Sequence, residues 1–389
     1  MKIVHIGHVS VPPEHPDATV LSKFCSYPGR WVLNLALAQN RHTDLSPEIV
    51  MQVAGARRNW TYAIEGIPVH FIATPARFRS ATLFVFDAFR LRRVVRRLEA
   101  DLVHAHGTED AAAMAAAVSG LPSLVTFQGV YSLMNRVLPP FWFSRPRFQE
   151  TAERIAVGRL RHAIVKSDYG AREIAALFPH LQLYQIPNTY LAPLVSPSFQ
   201  KSADEIVFAG TIVPRKGIHF LVRAIEYLLS MRPNLRLHLF GDRADSTASY
   251  ELEQLRQLRA LLGKNLILHG IAPKRELDET LARATAIVAP SLEEMFGNQI
   301  IEALLVGTHA VVSSDTPLAE NVHRFGNGTV FPMGDAAGLA DAIVQALDHY
   351  SPQEARLAIA KVEEFMSPAH VATLHAETYR AVLNDFNNQ

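Results

Sequence analysis

Two carboxylates, Glu294 and Glu302, bracket the run Glu294-Met295-Phe296-Gly297-Asn298-Gln299-Ile300-Ile301-Glu302. Thr285–Val288 upstream is a short, mostly apolar strand, and Ile300 to Val306 reads as a helix that stops at Gly307. The pair therefore straddles a strand–loop–helix turn. Glu302 lies about one turn inside, at roughly 3.6 residues per turn. That helix is apolar nearly all round, the pattern of a buried helix. A carboxylate on a buried helix requires a polar partner.

The elements that position this pair alternate throughout the chain. Short apolar strands and helical stretches follow one another, which predicts an α/β fold of parallel βαβ units. Strands are expected at 2–6, 48–53, 69–72, 102–104, 123–126, 163–166 and 183–186, then at 205–209, 236–240, 266–269, 285–288, 309–313 and 328–331. Three prolines between Pro187 and Pro197 mark a linker. Domains are expected at 1–190 and 191–366, each Rossmann-like and together facing a cleft. Residues 367–389 form a last helix expected to pack back on the first domain.

A chain of 389 residues suits two cores. A formal net charge of +1 gives no bulk attraction for nucleic acid. The single cysteine, Cys25, excludes an internal disulfide and fits a reducing compartment. The first residues read as a strand, too short and polar for a signal peptide. The expected location is the cytoplasm, with peripheral contact at the inner face of the plasma membrane left open.

A second group of residues suits phosphate. Gly210-Thr211-Ile212-Val213-Pro214-Arg215-Lys216-Gly217 follows a strand and precedes a helix from His219 to Leu229. Arg215 and Lys216 thus stand beside a helix start, where free N–H groups favour anions. The loop is either a diphosphate cradle or a turn with two solvated cations. Gly297 and Asn298 offer another helix start, with Asn298 expected to cap it. Neither a Walker motif nor Gly-x-Gly-x-x-Gly occurs. No Asp-x-Asp occurs either, so no metal–diphosphate site and no cofactor is expected.

Together these residues resemble the retaining GT-B glycosyltransferases of glycosyltransferase family 4, over almost the whole chain. Pro290-Ser291-x-x-Glu294-x-Phe296-Gly297-x-x-x-x-Glu302 matches the family's Glu-x7-Glu motif, and Gly210 to Gly217 its phosphate loop. Asp101-Leu102-Val103-His104-Ala105-His106, Ile186-Pro187-Asn188, Asp315-Thr316-Pro317-x-x-Glu320 and Gly326-Asn327-Gly328 fit in order.

The resemblance implies transfer of a sugar from a nucleotide-diphosphate donor, with UDP the expected nucleotide, to a glycan or lipid-linked saccharide. It implies retention by same-face attack without a metal. Glu302 would bind ribose, Glu294 the donor sugar, and Lys216 the departing diphosphate. Backbone groups from Gly297 through Gln299 to Ile300 would hold phosphate and sugar oxygens, and His106 would lie near the sugar. Two positions depart from the pattern. Thr211 stands where the family usually has Arg, with Arg215 as the nearby charge. Gln128 stands where it often has His, so it can orient but cannot take a proton. On the acceptor side only Pro28-Gly29 stands where a glycine-rich loop is expected, after an insertion from Ser10 to Tyr27. Rivals are an epimerase or phosphorylase of the same fold, a sugar-binding protein without chemistry, and a catalytically dead relative.

Three weaker signals keep their alternatives. His104 and His106, with Glu109, could ligate a metal; a core role for His104 and a cleft role for His106 fit better. Thr108-Glu109-Asp110 opens a helix and suits capping. Arg77 to Arg97 carries seven arginines and one acid among aromatics, and Pro139 to Phe148 is a second aromatic, basic stretch. Either these meet anionic lipid or they are surface segments with arginines in water.

Overall fold

The computed structural model describes residues 1–9, 30–77, 79–190, 192–241 and 248–388. Gly29, Cys25 and the Ser10–Tyr27 insertion lie outside them, as does Phe78. The chain divides into Met1–Thr189 with Met366–Gln389, and Tyr190–Phe365.

The first unit is built on eight strands: β1 (Lys2–Ile6), β2 (Ser46–Ala54), β3 (Trp60–Ile64), β4 (Ile67–Thr74), β5 (Leu102–His106), β6 (Ser123–Thr126), β7 (His162–Val165) and β8 (Gln182–Gln185). Their order is β3-β4-β2-β1-β5-β6-β7-β8. All pairs are parallel except β3 with β4. The strand β3 was not expected. Glu65 and Gly66 both have positive φ, 51° and 87°, which folds β3 back on β4 through a two-residue hairpin turn. The sheet is therefore mixed at one edge.

Helix Trp31–His42 buries Val32, Leu33 and Ala36 against Ile49, Met51, Val69 and Phe71. The helix Pro368–Asn387 starts with Ser367 as its cap and Pro368 at the first position, where a missing N–H costs nothing. It lays Val371, Tyr379 and Val382 on Ile3, Leu102, Leu124 and Ile164. Each such apolar side chain contributes roughly 1.5–3 kcal/mol on full burial.

The second unit has six strands: β9 (Ser202–Ala209), β10 (Arg236–Phe240), β11 (Leu266–Gly270), β12 (Ala284–Ala289), β13 (His309–Ser313) and β14 (Gly328–Phe331). The order is β11-β10-β9-β12-β13-β14, with all pairs parallel. Counted within the unit this is 3-2-1-4-5-6, the doubly wound Rossmann order. Helix Ile218–Met231 contributes Leu221, Val222, Ile225 and Leu228 to the core, and helix Ala336–Asp348 contributes Leu339 and Ile343. They pack on Ile206, Phe208, Leu237 and Val288.

In a doubly wound sheet, connections leave the two central strands in opposite directions. The crevice at their carboxyl ends is where ligands bind. In the second unit that point is β9 beside β12, the strands that feed the loops at 210–217 and 290–297. In the first unit it is β1 beside β5, which end at Ile6 and His106.

Candidate functional site

The two loops of the second unit touch backbone to backbone. A Cβ on Gly217 would lie 1.7 Å from the Pro290 carbonyl oxygen, and Gly217 has φ 68°. Glycine is required there on both counts. Leu292 N donates to Arg215 O at 2.8 Å, so the loops are one structural piece. Behind them, Ser313 Oγ donates to Ser291 O, and Asn321 Nδ2 donates to Phe296 O at 2.8 Å. Gly297, at φ 85°, is the residue before helix Asn298–Leu305. Asn298 is therefore the first helical residue and not the cap; the left-handed turn at Gly297 takes that place. Gln299 and Ile300 continue the first turn.

Charge is concentrated on this seam. Lys216 Nζ is paired with Glu294, and their side chains are 11% and 15% exposed. Arg215 stands 3.5 Å from Glu293. Lys274, on helix Lys274–Arg283, pairs with Asp278 and lies 4.0 Å from Glu302. This is the polar partner that Glu302 required. Gly210 precedes Thr211, whose side chain is exposed.

The carboxyls are driven apart by their surroundings. Burial raises Glu294, but Lys216, Arg215 and the Met295 N–H outweigh it, leaving Glu294 below its usual range. Glu293 goes the other way. Burial pushes it up to about 7, with Arg215 opposing and the Glu294 charge adding. Glu302 is raised by burial, against Lys274 and with Asp278. Adjacent acids of opposite tendency are a hallmark of functional sites.

Sequence reasoning missed Glu293, Lys274 and Asp278. Glu293 beside Glu294 was legible as a carboxylate pair. The spacing of Lys274 and Asp278 signals a helical ion pair, but nothing local tied it to Glu302.

The first unit carries a different set. His106 ends β5, packed against Gly7: a Cβ there would sit 3.0 Å from the His106 Cβ. His106 Nε2 lies 2.9 Å from His5 Nδ1, and His5 Nε2 lies 2.9 Å from Gln39 Oε1. Gln39 Nε2 donates to Tyr379 OH at 2.9 Å, which is 2.7 Å from His104 Nδ1. His104 Nε2 is 2.6 Å from Thr126 Oγ1. His104 is thus a fully partnered core histidine. Burial, with neighbouring histidines adding, holds His104 and His106 well below the ordinary range.

The ring nitrogens of His5, His104 and His106 lie within 4.8 Å of one another, a possible metal-ligand group. Glu109 is not part of it. The hydrogen bonds above already use both nitrogens of His5 and His104, so the cluster is explained without an ion.

Gln128, after β6, accepts from Lys166 Nζ. Glu109 sits between the loops after β5 and β6. A Cβ on Gly107 or Gly129 would meet its carboxyl oxygens at 2.2 and 2.7 Å. Burial pushes its carboxyl up to about 7. Asp110, not Glu109, caps helix Ala111–Ala117, accepting from Ala112 N at 2.8 Å. Glu153, also unforeseen, ties these loops together. It accepts from Thr108 Oγ1 at 2.6 Å and from Tyr131 and Ser132 N at 3.0 Å each.

Two doubly wound α/β units, each with its polar residues at a switch point, define the GT-B class. Comparison with known proteins agrees. Residues 203–349 match the model for glycosyl transferases group 1, and residues 30–189 that for Glycosyltransferase Family 4. The chain belongs to the GT-B glycosyltransferases of the group 1/family 4 type. Sucrose-phosphate synthase from Thermosynechococcus elongatus superimposes with a TM-score of 0.74 at 18% identity, covering 99% of this chain and 100% of that one. Anabaena HepE in complex with UDP and glucose gives 0.72 at 19% identity, covering 97% and 99%. A glycogen synthase of Mycobacterium tuberculosis is 30% identical over 214 residues, 54% of this chain and 49% of its own length. The chain thus spans about half the length of that relative. No helix among the described residues is long and apolar enough to cross a membrane.

Proposed function

We propose that the protein is a retaining glycosyltransferase of family 4 that takes a nucleotide-diphosphate sugar, with UDP as the nucleotide. The observation that carries this reading is the Lys216–Glu294 pair, held across two fused loops at the switch point of β9 and β12. In that reading Lys216 turns from Glu294 to the diphosphate, and Glu294 is released to hydroxyls of the donor sugar. Glu302, with Lys274 beside it, takes the ribose. Arg215 adds charge where Thr211 supplies none. Helix Asn298–Leu305 directs its N-terminus at the phosphates. UDP is favoured because the similar Anabaena fold was solved with UDP and glucose.

The acceptor is a glycan or a lipid-linked saccharide. Its hydroxyl oxygen bonds to the anomeric carbon on the face that the diphosphate leaves. The carbon–oxygen bond to the diphosphate breaks, and the acceptor proton passes to a leaving phosphate oxygen. The chain's own work is orientation and charge stabilisation, and no metal or cofactor enters the scheme. The test is a thermal-shift panel of UDP-, GDP- and ADP-sugars on wild type and Glu302→Gln. Ligand at 100 times Kd adds about 2.7 kcal/mol of stability. A specific shift with UDP-sugars, diminished in Glu302→Gln, is expected. No shift with any sugar nucleotide would sink the reading.

A lipid-linked acceptor calls for contact with an anionic membrane face, which the first unit supports. Phe86, Phe141, Trp142 and Phe143 are 72%, 89%, 82% and 92% exposed, among arginines. In helix Val85–Arg97, Ala88, Leu91 and Val95 face the core, so the exposed aromatics are not needed for packing. Cosedimentation with anionic vesicles that weakens with salt is expected. None at low salt would end the membrane reading.

A further inference from the structure

The four groups His106, His5, Gln39 and Tyr379 form one continuous hydrogen-bonded chain, all within the first unit. A neutral histidine has one N–H and one lone pair, so fixing one nitrogen fixes the other. Every tautomer in this chain therefore follows from one amide. Gln39 turns its NH2 to the Tyr379 hydroxyl and its oxygen to His5. His5 Nε2 must then be the N–H, and His5 Nδ1 the lone pair. His106 Nε2 donates to that lone pair, which leaves His106 Nδ1 as an acceptor. On the other branch Tyr379 OH donates to His104 Nδ1, and His104 Nε2–H donates to Thr126 Oγ1.

His106 Nδ1 is where the chain ends. It is buried and has no hydrogen-bond partner in the structure. The mirror arrangement, with Gln39 flipped, satisfies every interior bond equally well but leaves His106 Nδ1 as an orphaned N–H. Among backbone groups, buried N–H without a partner is rarer than an under-satisfied acceptor, and the same preference applied to the ring selects the arrangement described. The rings stay neutral: burial holds His5 at about 4, and His375, 5.8 Å from His104, at about 4 as well.

We propose that Gln39 and Tyr379 are positioning residues that lock His106 in its Nε2–H tautomer, so that Nδ1 accepts a hydrogen bond from a substrate hydroxyl. This rests on the reading of the protein as a glycosyltransferase whose substrate meets the end of β5. It gives the C-terminal helix Pro368–Asn387, which carries Tyr379, a part in the chemistry as well as in folding. Tyr379→Phe deletes both the acceptor for Gln39 and the donor for His104. Gln39 is then free to flip, and the tautomers of His5 and His106 invert together.

The experiment is nitrogen NMR of the histidine rings in the full chain, which separates N–H from lone-pair nitrogens without any turnover. Wild type is expected to show His106 Nδ1 as a lone-pair nitrogen. Tyr379→Phe and Gln39→Leu are expected to give mixed or inverted tautomers, with kcat lowered about tenfold or more and donor KM within about twofold. Arg380→Ala, on the same helix but exposed against Asp44, should leave both readouts unchanged. Should Gln39→Leu fail to fold, Tyr379→Phe, which keeps the ring in the core, carries the test. A protonated His106 Nδ1 in wild type, or tautomers unmoved in both variants, overturns the lock. Tautomers that move while kcat does not overturn the positioning role. Absence of any transferase turnover in wild type, with the tautomers as described, would instead count against the functional reading.

Discussion

At the carboxyl ends of β9 and β12 the side chains are charged and paired. At those of β1 and β5 one pair, His8 with Asp110, stands beside a hydrogen-bonded chain of buried histidines whose rings are held neutral. Two sheets of the same winding have thus been given different balances of paired charge and neutral hydrogen bonds. Ion pairs held in place by fixed loops are a store of charge that an incoming anion can claim. A chain of neutral rings has no charge to offer, but it has direction. On the proposed function, the second unit meets the diphosphate and the first orients hydroxyls.

The contrast breaks first at Lys216. Lys216→Ala removes the cation paired with Glu294 and leaves that carboxylate with only the more distant Arg215 charge among the described residues. Loss of one preorganised charge-stabilising group costs about 10²–10³ in rate, so initial rates of nucleotide release should fall by that much. Lys216→Arg should recover part of it. Activity within a few-fold of wild type in the alanine variant would move the charge handling elsewhere.

Next comes the seam that holds the charges in place. Gly217→Ala drives a methyl into the Pro290 carbonyl, which cannot move without parting the loops. Urea denaturation should show a loss of about 3 kcal/mol or more. Gly297→Ala meets only the tip of Leu318, 2.0 Å away, so its cost should be smaller. Leu318→Ala in the same chain should relieve the clash but not the strain of φ 85°. Equal losses in the two glycine variants would mean that the loops are not fused as described.

A third test opposes, in pH, the buried histidines and the buried carboxyls. Burial holds His5 and His375 at about 4, below the ordinary 6.5. The unfolded chain then binds more protons between those values, so these rings stabilise the first unit above pH 6.5 and lose that contribution as pH falls to 4. Glu293 is raised from 4.5 to about 7. Here the folded state holds the extra proton, so its contribution is full below 4.5 and is lost as pH rises through 7. A tenfold difference in proton affinity between folded and unfolded chains corresponds to about 1.4 kcal/mol. Glu109 in the first unit is raised to about 7 in the same way, and His238 and His309 in the second are held at about 4 like His5. Followed by hydrogen exchange at pH 5 and pH 7, Glu109→Gln and Glu293→Gln should each make stability in their own unit rise more steeply with pH than in wild type. Unchanged slopes would mean that these carboxyls do not hold the extra proton.

How far the residues alone could take a reader differs between these halves. Strands β9 to β14 lie on dense Val, Ile and Leu runs punctuated by glycine, so periodicity located them to within a few residues. The Glu294 and Glu302 spacing survives folding because both belong to one continuous turn. The hairpin strand β3 escaped because a parallel scheme has no place for it, although Glu65-Gly66 is a turn signal. Lys274 and Glu302 meet across separate elements, and no spacing encodes that. The histidine chain draws on β1, a helix from the first unit, β5 and the far end of the chain, with Gln39 and Tyr379 separated by 340 positions. A closed network of that sequence separation can be read only after the C-terminal helix has docked.

The smallest effect on stability sharpens the contrast most at the surface. Trp142 is 82% exposed, and the Arg147 guanidinium stacks over it at 5.8 Å. Neither contact holds the core, so Trp142→Ser should change stability by less than about 0.5 kcal/mol. If the aromatic segment enters lipid, the same change removes one large apolar group from the interface, roughly 1.5–3 kcal/mol on burial. Binding to anionic vesicles should then weaken about tenfold, since about 1.4 kcal/mol is a factor of ten. Turnover on a soluble acceptor should stay unchanged, because the residue touches neither the ion pairs nor the histidine chain. An equal loss of turnover on soluble and vesicle-borne acceptors would place Trp142 in the reaction itself, and would give the first unit a third kind of surface instead of a membrane face.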